Sequence, residues 1–314
     1  MSSSSRYSQV SVVVATKNSA KTLGYCLGSL EAFREKFIDE VVVVDGNSSD
    51  STVSIARRFN ATVVEQEVDK GFFAAYDLGW RVTKSEFLLF LDSDALLEQD
   101  FFPKVSTWYA ESGVGLLGVP AKDKTNALLG RLVGEWWDFR YARTISEDSK
   151  THSNLLDRLY RNFVWEGGRQ PLVQGPCYLL RRECLEAISG FPKGGDDITL
   201  SRLVSANGWP VKWWGERLVL HMPRTSMRGL ILKYIRYGYV GANVAKDYHG
   251  MVTRVMRLLV QLVLAPALSF RISVAYKNPL HIPLYTTLAG LANCLGLALG
   301  MLTNAEVVSN PPTG

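Results

Sequence analysis

Residues 87–97 read Phe-Leu-Leu-Phe-Leu-Asp-Ser-Asp-Ala-Leu-Leu, an apolar run that ends abruptly in Asp92-Ser93-Asp94. A continuous apolar segment of this length is what a strand buried on both faces requires, so the carboxylates arrive at its carboxyl end. Side chains two apart on an extended chain project to the same side, where one divalent cation, Mn²⁺ or Mg²⁺, could bridge Asp92 and Asp94 to a diphosphate. A solvated acidic turn is the other reading of the same residues.

Outward from this run, residues 10 to about 120 alternate β-branched stretches with helix-like ones, the pattern of βαβ units on a mainly parallel sheet. Strands are expected at Val10 to Ala15, Glu40 to Val44, Thr62 to Glu65, Glu86 to Leu91 and Val114 to Val119. Ligands of such sheets lie beyond the carboxyl ends of the strands, so Thr16 to Asn18, Asp45 to Asp50 and Asp92 to Asp94 should meet at one crevice. Further on, residues 127–164 read as helical, Glu166 to Gly175 is Gly-rich, and Cys177 to Leu180 is an apolar strand followed by a helix from Arg182. A second helix is expected over Ile198 to Ala206, ended by Gly208 and Pro210.

In VVVVDGNSSDST (residues 41–52), Asp45 closes four valines and needs partners to offset its desolvation; a base or ribose could supply them. Asp50 reads best as a helix cap. Gly194-Gly195-Asp196-Asp197 opens a helix, where adjacent carboxylates could simply complement the macrodipole, or one could take a proton from an attacking hydroxyl. His221 follows a short strand, Leu218 to Leu220, and is either a metal or pyrophosphate contact or a structural histidine. His152, His249 and His281 have no constellation around them. Trp213 and Trp214 are core residues or a sugar-stacking platform.

Composition bounds the rest. The 314 residues, 47% hydrophobic and 21% charged, can build a sizeable core, and disorder is not expected. Cys26, Cys177, Cys184 and Cys294 have no metal-site spacing and read as reduced structural thiols. The N-terminus lacks a secretory h-region, so the front of the chain is expected in the cytoplasm. A modest +5 charge includes a cluster from Lys212 to Arg257 just ahead of an apolar part, which favours membrane lipids over nucleic acid as its partner. No Asp, Glu, Lys or Arg lies between Lys277 and Glu306, and Ile282 to Leu302 matches the roughly 20 apolar residues of a bilayer span. Leu258 to Phe270 would complete a hairpin of two spans if it extends past a snorkelling Arg271.

Taken in order, VVVATKN, VVVVDGNSSDST, DKGFFAAYDLGW, FLDSD, GPCYLLRREC and GDDITLSRLVSANGW resemble the family 2 glycosyltransferases of the inverting GT-A fold, over about residues 8 to 225. The resemblance implies an α/β, Rossmann-like catalytic domain (1–225); beyond it the basic and apolar pattern reads as an amphipathic interface region (226–254), transmembrane segments (255–305) and a short tail (306–314), an arrangement that looks like a reduced version of membrane synthases such as those making cellulose. It implies nucleotide contacts from Ala15, Thr16, Lys17, Asn18, Asp45, Lys70, Asp92 and Ser93. Asp92 and Asp94, with His221 as a further candidate, would hold the metal. Asp197 would be the catalytic base, and Gly175, Asp196 and Arg202 would lie near the acceptor.

The sequence departs from the family pattern at Gly46, where a second acidic residue is usual, and at Tyr76 and Asp77, where arginine and asparagine are usual. A Q-x-x-R-W motif of processive synthases is absent after Asp197, so single-sugar transfer is expected. Similarity to polyprenyl-phosphate mannose synthases favours GDP-mannose over UDP-sugars, a lipid-linked acceptor, and a membrane location. Two rivals remain: a nucleotidyltransferase, which would want a glycine-rich phosphate loop where VVVATKNSAKT has none, and a membrane scaffold with a degenerate transferase domain, against which Asp92, Asp94 and Asp197 speak.

Overall fold

The structure, a computed structural model, describes residues 9–68, 70–123, 173, 175–193, 195–222, 228, 229, 231–236, 238, 239 and 281–302. The chain divides into two compact units, Met1–Lys124 with Pro171–Pro223, and Thr125–Gln170 with Arg224–Gly314.

The first unit is built on a seven-stranded sheet. Its strands are β1 (Val10–Thr16), β2 (Ile38–Asp45), β3 (Thr62–Glu65), β4 (Phe87–Asp92), β6 (Leu116–Gly118), β8 (Cys177–Arg181) and β9 (Val211–Trp213), in the order β3-β2-β1-β4-β8-β6-β9. The first four run parallel, as the βαβ pattern predicts. β8 enters antiparallel between β4 and β6. A separate three-stranded sheet, β5 (Ala95–Leu97), β10 (Val219–His221) and β7 (Ala121–Asp123), was not foreseen at β5 and β7. Strands of three residues are too short to show a periodicity.

Alternation along β1 and β4 sends side chains into two cores. Val12, Val14, Leu89 and Leu91 pack with α1 (Leu23–Leu30), α2 (Thr52–Arg58) and α4 (Phe101–Glu111). Val13, Leu88 and Phe90 pack with α3 (Phe72–Val82), α5 (Arg182–Ala187) and α6 (Asp197–Ala206). The closest approach is at Gly79 of α3, where a Cβ would lie 2.3 Å from Val13 Cγ1 and 3.1 Å from Val44 Cγ2. Arg181, buried at the end of β8, donates to the carbonyls of Tyr109, Ala110 and Val114 and so ties the end of α4 to the sheet. All four cysteines are free and buried, as expected for structural thiols.

In the second unit the expected span Ile282 to Leu302 lies within one helix, α7 (His281–Leu302). Among the described residues, no helix is long and apolar enough to cross a membrane. Residues 127–164 and the apolar segment Leu258 to Phe270 lie outside the described residues. α7 meets the helical residues near 235–238 at close quarters: a Cβ on Gly296 would stand 1.8 Å from the Ile235 carbonyl oxygen, and one on Gly238 1.9 Å from that of Asn293.

Gly79→Ala should therefore lower stability. Forcing a methyl into a packed core costs typically about 1–3 kcal/mol, which thermal unfolding would register as a drop of several degrees. An unchanged midpoint would mean that α3 can lift from the sheet at no cost.

Candidate active site

The loops after β1, β2 and β4 meet as the strand order requires. Register pairs Thr16 with Asp45 and Ala15 with Asp92, placing both carboxylates at the same end of the sheet. Side chains then tie the loops. Thr16 Oγ1 donates to Asp45 Oδ1 (3.0 Å), the Asn18 N–H donates to Ser48 Oγ (2.8 Å), and Ser93 Oγ donates to Ser19 Oγ (2.8 Å). Asn18 takes a positive φ of 48° and accepts the Ser49 N–H, a conformation that asparagine tolerates better than most residues.

Asp45 is almost fully buried, and besides Thr16 it accepts from the Ser48 N–H (2.7 Å) and Ser48 Oγ (2.6 Å). These bonds supply the partners that its burial demands, so its primary work is to shape the loop that a nucleoside would meet. Asp50, expected as the cap of α2, lies one residue before the N-cap Ser51; its carboxylate accepts the N–H and hydroxyl of Thr52 and the N–H of Ala20. These bonds, the Thr52 hydroxyl first, hold its carboxyl below the ordinary range. Lys17 and Lys70 are exposed at the rim, and Lys70 precedes Gly71, whose φ is 89°.

At the acidic turn, Asp92 Oδ1 accepts the Tyr76 hydroxyl at 2.8 Å, while His221 Nε2 lies 3.5 Å from Asp94 Oδ1. The Met222 N–H donates to the Asp94 carbonyl, and His221 pairs with Ala95 across β10 and β5, so the small sheet is what brings this histidine in. Among the described residues no three His, Cys, Asp or Glu side chains converge to hold a metal ion. Asp92, Asp94 and His221 thus do not form the closed three-ligand set that their joint assignment implies: one carboxylate is drawn to Tyr76 and the other faces the imidazole. Two half-buried carboxylates suit a hard divalent cation whose remaining positions go to diphosphate oxygens, so the residues fit Mn²⁺ or Mg²⁺ bound together with a nucleotide.

The two acids at the start of α6 differ in their hydrogen bonding. Asp196 is the N-cap, its Oδ1 accepting from the N–H (2.9 Å) and hydroxyl (2.8 Å) of Thr199. Asp197 Oδ2 accepts only a long bond, 3.4 Å, from the Gly175 N–H among the bonds described. Although part of the residue reaches solvent, burial pushes the Asp197 carboxyl well above the ordinary aspartate value of 3.8, reinforced by Asp196 and Asp92 and opposed by Gly175. Arg202 is half-buried further along α6. Trp213 and Trp214 pack against the two cores, Trp214 edge-on to Trp108, so they are core residues and not an open platform.

Sequence reasoning missed several residues here. Tyr76 and Asp77 stand out in the sequence only as departures from the family pattern, with no role attached. Asp77 accepts from Trp80 Nε1, Arg81 Nε and the Phe191 N–H, pinning the turn that leads into Asp196 and Asp197. Gln66, at the end of β3 and bonded through its N–H to the Asp45 carbonyl, buries a side-chain amide that has no hydrogen-bond partner. A buried amide in a stretch of charged residues was the only available signal.

A family model described as Glycosyl transferase family 2 matches residues 11–189, more than half of the chain. The chain belongs to glycosyl transferase family 2. It is 30% identical over 117 residues to the glycosyltransferase AglE of Haloferax volcanii, covering 35% of this chain and 38% of that protein. It is 32% identical over 108 residues to the PGL/p-HBAD biosynthesis glycosyltransferase Rv2957 of Mycobacterium tuberculosis, covering 32% and 41%. The chain thus spans about two fifths of the length of these relatives. In fold it resembles the mannosyltransferase PcManGT of Pyrobaculum calidifontis, solved with GDP-Man and Mn²⁺, at a TM-score of 0.64 and 18% identity over 95% of this chain and 88% of that one. A second likeness, TM-score 0.51 and 20% identity over 76% and 78%, is to the glucosyl-3-phosphoglycerate synthase of M. tuberculosis with Mn²⁺, UDP and phosphoglyceric acid. These likenesses establish the GT-A-like α/β fold.

Asp197→Asn should stabilise the protein at neutral pH. Because the fold raises this pKa, the contribution of Asp197 is most favourable below the unfolded value of 3.8 and is lost as pH rises through the folded one. The melting temperature of the asparagine variant should exceed the parent's at pH 7, with the gap closing towards pH 4. A variant less stable at pH 7 would show that the carboxylate is satisfied in the fold.

Proposed function

We propose that the protein transfers a single sugar, with inversion, from a nucleotide diphosphate sugar to a hydroxyl of a lipid-linked acceptor at the cytoplasmic face of a membrane. The observation that carries the catalytic part is the division of labour among carboxylates around one crevice: Asp92 and Asp94 at the metal end, Asp196 committed to a helix cap, and Asp197 left with a raised pKa and little hydrogen bonding.

A divalent cation, when bound, would neutralise charge on the departing nucleotide diphosphate, and Asp92 and Asp94 would hold it, with His221 beside Asp94. The loops carrying Ala15 to Asn18 and Asp45 to Ser48 form the wall for the nucleoside, with Lys70 and Ser93 at its edges. Asp197 takes the proton of the acceptor hydroxyl; burial raises its pKa, which makes its carboxylate a stronger base than an ordinary aspartate. Gly175, whose φ of 138° suits glycine alone, and Arg202 line the acceptor side.

GDP-mannose is the favoured donor, on the resemblance to mannose synthases and the GDP-Man complex of one fold neighbour. Membrane attachment is supported by the second unit. Leu288, Leu291, Leu295 and Leu299 form an exposed stripe on α7, 38–51% accessible, and close helix contact through glycines is how helices associate in lipid.

In a thermal-shift panel of UDP, GDP, UDP-glucose and GDP-mannose, GDP-mannose with Mn²⁺ should give the largest rise, since a ligand stabilises in proportion to its affinity. Asp94→Ala should remove the metal-dependent part of that rise; it is a cleaner variant than Asp92→Ala, which also strands the Tyr76 hydroxyl. Affinity unchanged by Asp94→Ala sinks the metal assignment. Asp197→Asn should keep donor binding and lose about 10²- to 10⁴-fold in kcat; transfer at the parental rate would remove Asp197 from the mechanism.

A further inference from the structure

Tyr76 lies on the inner face of α3 and is 1% exposed. Its ring is held from several sides, with ring centroids 5.1 Å from Phe90, 5.7 Å from Phe191 and 6.0 Å from Tyr178. A phenol in so fixed a cage has little rotational choice, and its hydroxyl is directed at Asp92 Oδ1, 2.8 Å away. Phe90 stands two residues before Asp92 on β4, so both side chains share a face of the strand, and Phe90 pairs with Tyr178 across to β8. The aromatic cluster therefore fixes a group that donates directly to the carboxylate. Gly79, one turn along α3, lets the helix lie close enough to the sheet for that contact.

We infer that Tyr76 is a positioning residue for the metal-binding carboxylate: its hydroxyl clamps Asp92 Oδ1 so that the carboxylate is oriented before the cation arrives. This rests on the glycosyltransferase reading above and extends it to a residue where the family pattern departs. A hydrogen bond from a fixed donor restricts the orientations of the carboxylate it meets, and a ligand ordered before the cation arrives loses less freedom on binding it. Removing the hydrogen-bond partner of a metal ligand typically costs about 10- to 100-fold in metal affinity, and loss of the clamp should weaken the metal by that order.

Tyr76→Phe removes the hydroxyl and keeps every ring contact. Mn²⁺ binding to the full chain should be followed by electron paramagnetic resonance of the free ion, with GDP or UDP present at saturation, and nucleotide affinity should be measured separately without metal. Tyr76→Phe is expected to raise the Mn²⁺ dissociation constant about tenfold or more while metal-free nucleotide affinity stays at the parental value. Tyr178→Phe is the control, because the Tyr178 hydroxyl is buried in the same cluster with no hydrogen-bond partner; Mn²⁺ binding should be unchanged.

An unaltered Mn²⁺ dissociation constant in Tyr76→Phe overturns the inference and leaves the transferase reading standing. Equal weakening in both variants also overturns it, since loosening of the cluster would then be the cause. If the parental protein binds neither nucleotide with Mn²⁺, the transferase reading itself falls, and the inference with it. Should Tyr76→Phe fail to fold, 3-fluorotyrosine at position 76 gives the same answer: its ¹⁹F resonance must shift when diamagnetic Mg²⁺ and nucleotide are added, and a static resonance refutes the clamp.

Discussion

Everything at the crevice depends on β1 being hydrogen-bonded in parallel on both sides, with a register that brings Thr16 level with Asp45 and Ala15 level with Asp92. The register has little freedom. Val12, Val13 and Val14 are wholly buried and feed opposite cores, so a slip of one residue would exchange the two sets of neighbours and leave Gly79 facing the wrong side chain. Packing in the apolar half of the sheet thus determines where the charges fall in the polar half.

Gathering acids at one end of a sheet creates an electrostatic problem, and hydrogen bonding sorts the acids into structural and chemical ones. Asp45 accepts from Thr16 and Ser48, Asp50 accepts the Thr52 N–H at the start of α2, Asp196 caps α6, and Asp77 holds the turn at Phe191. Each takes its hydrogen bonds from donors that belong to the fold. Asp92 has a neutral phenol and Asp94 a neighbouring imidazole, arrangements that leave negative charge for a cation to complete. Asp197 accepts one long bond among those described and its pKa is raised, first by burial, which favours exchange of a proton there.

The longer strands were legible because each is an apolar run ending in a polar loop; Thr62–Glu65 coincides with its expected bounds, and β1, β2 and β4 differ by one or two residues. The antiparallel entry of β8 was not legible, since a strand buried on both faces reads the same in either direction. Nor was the small sheet at β5, β7 and β10, although it delivers His221 to Asp94. Among the acids, the sequence narrowed the base to Asp196 or Asp197, and the family pattern preferred the second. The structure adds a reason that no spacing carries: the first is occupied by Thr199. Tyr76 was hidden because an aromatic residue on the apolar face of a helix has the pattern of core whether or not its hydroxyl is used.

The two departures from the family pattern on α3 acquire a common meaning once their contacts are followed. Tyr76 faces the sheet and touches Asp92; Asp77, next along, faces the turn at Ser189 to Phe191, where Arg81 Nη2 also reaches the Ser189 carbonyl. Gly190 passes so close that a Cβ there would stand 2.3 Å from Asp77 Oδ1, and its φ of 96° independently excludes most side chains. That turn leads directly into Asp196 and Asp197. One helix, seated on β1 and β2 through Gly79, thereby fixes the carboxylate proposed to hold the metal and the approach to the proposed base at the other end. The distance between the two ends of the reaction is consequently a property of how α3 packs, and the residues that set it need not touch a substrate.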